Sequence, residues 1–85
     1  PEIEIYNFEI TGVATREEAN ALAKEVREAT NEAATIALDA KTNTWRVRIG
    51  ERKETVEEAN EYKEFLAEKG FGAAEIVTEK IRQVS

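Results

Sequence analysis

Thr15-Arg16-Glu17-Glu18-Ala19-Asn20 returns forty residues on as Thr55-Val56-Glu57-Glu58-Ala59-Asn60. In each block a threonine precedes a glutamate by three residues, the spacing of a capping box. The hydroxyl accepts one free N–H of the first helical turn, and the carboxylate reaches back to another. Behind the first cap, Ala19, Leu22, Ala23 and Val26 fall at i, i+3, i+4 and i+7 and make a buried stripe. Arg16, Glu17, Lys24, Glu25, Arg27 and Glu28 turn outward, and Asn31 is suited to a left-handed stop. Behind the second cap, Val56, Ala59, Tyr62, Phe65 and Leu66 supply the apolar side. Gly70 stops that helix, and Phe71 stands where a hydrophobic contact seals such a stop. The offset persists beyond the helices, because Ala33-Ala34-Thr35-Ile36 matches Ala73-Ala74-Glu75-Ile76. The repeated unit is therefore a helix followed by a strand.

A strand also precedes each helix. Tyr6, Phe8 and Ile10 alternate with Asn7 and Glu9, and Trp45, Val47 and Ile49 alternate with Arg46 and Arg48. A period of two marks half-buried strands. Pro1 to Ile5 leads into the first of them, and Gly12-Val13-Ala14 is read as a short turn. The second strand, Ala33 to Asp39, places Ala34, Ile36 and Leu38 on one face. The polar loop 40–43, with Asn43 suited to a positive φ, is short enough to demand an antiparallel hairpin. Gly50 to Glu54 reads as a charged turn, and Ala73 to Thr78 as the fourth strand.

The order is βαββαβ. Each β-α-β passage returns through a right-handed crossover. Two interleaved copies predict an α+β, ferredoxin-like plait: a four-stranded antiparallel sheet, order 4-1-3-2, with both helices on one face. The expected core is Phe8, Ile10, Leu22, Val26, Ile36, Leu38, Val47, Ile49, Ala59, Tyr62, Leu66 and Ile76. Residues 1–85 make a single domain, with 79–85 a tail that is either flexible or an extension of the last strand.

Composition narrows the function. A chain of 85 residues holds one core of modest size. It has no cysteine, hence no disulfide or thiolate site, and no histidine, hence neither the usual general base nor the commonest metal ligand. A net charge of −6 opposes nucleic acid and anionic membrane surfaces as partners. No apolar run reaches the length of a spanning helix, and no signal-peptide pattern opens the chain. The carboxylates open helices or line solvated helix faces, and none stands beside a nucleophile it could activate. The expectation is a non-enzyme without cofactor or metal. Glutamate outnumbers aspartate 17 to one, the single aspartate being Asp39. That is how an idealised or designed sequence fills helix surfaces.

The sheet face away from the helices should carry Asn7, Glu9, Thr35, Ala37, Arg46, Arg48 and Glu75. An RNA-recognition plait needs aromatics on the two central strands of this face, where this chain has Glu9 and Arg48. Cross-strand Glu–Arg pairs, each contributing roughly 0.2–1 kcal/mol, account for such a face without a ligand. The functional alternative is a polar ligand surface of Glu9, Thr35, Arg46, Arg48 and Glu75. Tyr6 and Trp45 are read as caps on the ends of the core. Ile3, Ile5, Val77 and Ile81 gather at one end of the open face, either as a small patch covered by neighbouring stems or as a homodimer contact.

The stretch Ile10-Thr11-Gly12-Val13-Ala14-Thr15-Arg16-Glu17-Glu18-Ala19, followed by Asn20-Ala21-Leu22-Ala23, resembles the repeat of SPOR domains (the sporulation-related repeat). So does Trp45-Arg46-Val47-Arg48-Ile49-Gly50 running on to Thr55 and Glu58-Ala59. The approach Leu38-Asp39-Ala40-Lys41-Thr42-Asn43-Thr44 is similar to SPOR modules of SpoIID-like cell-wall proteins. The resemblance covers about residues 6 to 78. It implies a non-catalytic plait of the bacterial envelope that binds peptidoglycan, favouring glycan strands stripped of stem peptides, through its open sheet face. The family tends to place Gln at the second outward position of its main strand, where this chain has Glu9 and Arg48. It tends to place an aromatic in the following turn, where this chain has Val13. The second turn also carries one extra residue, within Glu51-Arg52-Lys53-Glu54.

With the scaffold pattern kept and the ligand-facing pattern changed, the sequence favours an idealised or designed scaffold with no activity of its own and no required partner. The alternative is a SPOR-like module for denuded glycan strands, and the third reading is a homodimer or protein-interaction module. The location would be the bacterial cell envelope for a natural domain, and recombinant only for a designed one.

Overall fold

A computed structural model describes residues 2–82. The elements run β1 (Glu2–Val13), α1 (Arg16–Thr30), β2 (Ala34–Asp39), β3 (Thr44–Lys53), α2 (Val56–Glu68) and β4 (Glu75–Arg82). The four strands form one antiparallel sheet in the order β2-β3-β1-β4, the plait topology expected from the repeat. Of the 79–85 tail, residues through Arg82 extend β4, and Val84 and its neighbours at 83–85 lie outside the described residues.

The caps form as the threonines dictate. The Thr15 hydroxyl accepts from the Glu18 N–H at 3.1 Å, and the Thr55 hydroxyl from the Glu58 N–H at 3.2 Å. The return bond expected from each glutamate carboxylate is not formed; these exposed side chains stay in water, where they still complement the helix dipole. Asn31 ends α1 at φ 60°, its N–H bonded to the Arg27 carbonyl at 2.9 Å. Beyond α2, Gly70 takes φ +96°, the Gly70 N–H donates to Ala67, and the Phe71 N–H donates to Leu66. This is a Schellman stop, with buried Phe71 as its hydrophobic seal.

Phe8, Ile10, Val47 and Ile49 from the central strands meet Ala19, Ala23 and Val26 of α1 and Ala59, Tyr62 and Leu66 of α2 in one core. Leu22, Ile36 and Ile76 pack against its margin together with Tyr6, Trp45 and Phe65. Leu38 does not join it. It is 49% exposed, because it lies near the loop end of β2, an edge strand with only one neighbour. Val56, assigned to the apolar side of α2, is likewise exposed as the first residue of that helix.

Two expected turns are strand instead. Gly12 and Val13 belong to β1, and residues 50–53 belong to β3. Each run contains a bulge. Between the pairs Ile10↔Val47 and Val13↔Trp45, β1 holds one residue more than β3, and Gly12 sits there at φ +76°. Between Phe8↔Ile49 and Tyr6↔Lys53, β3 holds the surplus, with Gly50 at φ +67°. Bulges let a strand bend while continuing to pair, so a glycine before a helix did not mean the end of the strand.

Candidate functional site

The helices cover one face of the sheet and leave the other open. Alternation along β1 puts Phe8 and Ile10 in the core, and Ile3, Ile5, Asn7 and Glu9 on the opposite face. Residues paired across neighbouring strands share a face, so the register places the remainder. Thr35 of β2 faces Arg48 of β3, Arg48 faces Glu9 of β1, and Glu9 faces Glu75 of β4. Four of the five candidate ligand residues thus form one row across all four strands. The fifth, Arg46, lies two residues from Arg48 on the same face, opposite Ala37.

The row is tied at its centre. Arg48 donates from Nε at 2.9 Å and from Nη2 at 2.6 Å to Oε2 of Glu9. The same Nη2 stands 3.6 Å from Oε1 of Glu79. The Glu9 side chain is 5% exposed and that of Arg48 is 41% exposed, so the carboxylate is covered and the guanidinium forms the cover. A charge buried to this degree persists only when paired and hydrogen-bonded. Arg48 is therefore a structural partner of Glu9 as well as a surface group. Arg46, Thr35 and Glu75 make no side-chain hydrogen bond or ion pair among the described residues, and Thr35 and Glu75 are exposed. Glu79, which the sequence placed in a tail, joins the site because β4 continues past it.

The apolar end also assembles. Ile3 faces Ile81 across β1 and β4, Ile5 faces Glu79, and Val77 faces Asn7. Ile3, Val77 and Ile81 are half-buried. Ile5 is only 4% exposed although no helix covers it, so it offers little surface to a partner.

Beside the row, at the β3 bulge, lies a shallow pocket of about 520 Å³ lined by Asn7, Glu51, Arg52, Glu54 and Glu58. On the helix side of the same bulge, the Tyr62 ring packs edge-on against Phe8 at 4.7 Å and lies under Lys53 Nζ at 4.6 Å. Its hydroxyl is sealed from solvent without a hydrogen-bond partner. Burial, reinforced by the Glu32 carboxylate, pushes the phenol well above its usual range. Among the described residues no three carboxylates stand close enough together to hold a metal ion, and no helix is long and apolar enough to cross a membrane.

Comparison with known proteins gives two findings. The SPOR domain family model matches residues 6–78. Among solved structures, the chain is similar to the peptidoglycan binding domain of the B. subtilis cell wall lytic enzyme CwlC, with a TM-score of 0.70, 18% identity, and coverage of 89% of this chain and 90% of that one. At that identity the likeness is one of fold. No curated protein matches the sequence.

Proposed function

The chain belongs to the SPOR domain family, and from that premise we propose that it is a peptidoglycan-binding module that takes glycan strands on the open face of its sheet. Membership overturns the expectation of a designed scaffold without activity. The glutamate excess that suggested design is what two capped, solvated helices require whatever their origin. The observation that carries the proposal is the row Thr35–Arg48–Glu9–Glu75, which crosses all four strands on the uncovered face. A glycan strand is long, polar and rich in hydroxyls, and such a row offers it donors and acceptors in line. The similar domain of CwlC is described as peptidoglycan-binding, which supports the same reading. Binding without catalysis is the role proposed, in a bacterial cell envelope.

The test is co-sedimentation with purified sacculi, before and after an amidase removes the stem peptides. Pelleting that rises with stripping is expected. A folded sample that stays in the supernatant in both cases refutes the reading. Arg46→Ala is the informative variant, because Arg46 holds no side-chain partner among the described residues; it should weaken pelleting while leaving the melting temperature unchanged.

A homodimer through the Ile3–Ile81 end is the second reading, favoured by the direct pairing of these two isoleucines on an uncovered face. It requires a mass that rises with concentration and falls back in Ile3→Lys. A monomer throughout removes it.

A further inference from the structure

The pocket at the β3 bulge has no part in the polar row, and its chemistry differs. Three carboxylates, Glu51, Glu54 and Glu58, stand against one guanidinium, Arg52. None of the four is engaged in an ion pair; both ion pairs formed among the described residues belong to Arg48. The carboxylates arrive from three places: Glu51 from the bulge, Glu54 from the loop after β3, and Glu58 from the first turn of α2. Acidic residues alone define no site, but the fifth wall residue is of another kind. Asn7 is 7% exposed, and no side-chain hydrogen bond within the described residues engages its amide. Among the described residues the one side-chain atom both sealed from solvent and unpartnered is the Tyr62 hydroxyl. The Asn7 amide is therefore not sealed, and the opening available to it is the pocket it lines. The surplus residues of the bulge create that opening, because they leave Asn7 without a paired residue on β3. A buried amide left open beside unpaired carboxylates calls for a ligand that donates to both.

We propose that this pocket takes a protonated primary amine presented by the cell-wall polymer: the ammonium of an N-deacetylated amino sugar in the strand bound along the adjoining row. The inference rests on the glycan-binding reading. An ammonium brings three donors and no acceptor, matching carboxylates and an amide carbonyl. An acetamido group brings a single N–H and no charge. The carboxylates are too dispersed for a metal ion, whereas a single ammonium on a sugar ring can be reached from several sides. A free amine of a stem peptide carries the same chemistry, and the experiment separates the two sources.

The folded chain is titrated, with amide chemical shifts as readout, against three probes: a β-1,4-linked glucosamine hexamer, the N-acetylglucosamine hexamer, and a stem tetrapeptide bearing a free side-chain amine. The Asn7 side-chain amide and the backbone of 51–58 should shift with the glucosamine hexamer. Its affinity should exceed that of the acetylated hexamer about tenfold, the change expected of one charge-assisted hydrogen bond. Glu54→Gln with Glu58→Gln should abolish the preference while preserving the fold. Glu25→Gln with Glu28→Gln, an equal change of charge on the exposed face of α1, should leave it intact. Equal losses in the two double variants would reduce the effect to general attraction by an acidic protein and overturn the proposal. Shifts at the pocket with the peptide alone would overturn the amino-sugar source. Equal binding of both hexamers refutes this inference and leaves the glycan reading standing. Binding of the glucosamine hexamer alone, with no pelleting on acetylated sacculi, supports the pocket and refutes the broader reading.

Discussion

Gly50 and Tyr62 constrain each other. Gly50 has φ +67°, which L side chains rarely adopt, and a Cβ there would stand well inside van der Waals contact distance of the Tyr62 hydroxyl oxygen. Gly50→Ala should therefore cost about 1–3 kcal/mol in chemical denaturation, from backbone strain together with the clash. Tyr62→Phe removes a buried hydroxyl that has no partner, so it should be neutral or stabilising, and it should recover part of the Gly50→Ala loss. The phenol also predicts a pH effect. Its folded pKa is raised above the unfolded value near 10, so both states are protonated at neutral pH and stability is full there. Above pH 10 the unfolded chain releases the proton first, and stability falls as pH rises. Tyr62→Phe should flatten that alkaline decline relative to the parent, and an unchanged slope would place the phenol in water.

Among the elements, the helices are the part whose ends are written locally. Thr15→Ala and Thr55→Ala should each lose about 1 kcal/mol, since each hydroxyl satisfies one first-turn N–H that has no partner within its own helix. Comparable losses at both positions are expected, and melting curves of the two variants provide the check. The strands behave differently. Their alternation was readable, but their lengths were not, because a bulged strand and a strand that ends in a turn share the same glycine. β1 reaches Val13 and β3 reaches Lys53 because each finds the other to pair with, a contact between residues about forty apart in the chain.

For the molecule as a whole, the open face has a structural role and the proposed binding role, and mutation should separate the two. Arg48→Ala uncovers the Glu9 carboxylate and should cost about 1–3 kcal/mol of stability, the cost of a buried charge losing its hydrogen bonds, reduced by water entering where the guanidinium is exposed. Arg46→Ala should cost little stability and act on sacculus binding alone. If both variants lost binding and neither lost stability, Glu9 would have to be solvated. Most of the polar row was legible from alternation: Glu9, Arg48, Thr35 and Glu75 were expected on one face, and they lie in one line. The third member of the Arg48 cluster, Glu79, was not legible, because no local signal in Val77-Thr78-Glu79-Lys80 says whether the last strand continues.

The sequence by itself determined the helix starts and stops, the alternation of the central strands, the plait order and the family. These rest on interactions within a few residues or on a pattern repeated along the chain, so they survive without knowledge of neighbours. Only the tertiary structure decided that Leu38 is exposed, that Glu9 is buried on a face no helix covers, and that the β3 bulge opens a pocket at Asn7. Each of these depends on which strand lies alongside and where its register slips, and register is set by pairing across the sheet, between residues distant in sequence.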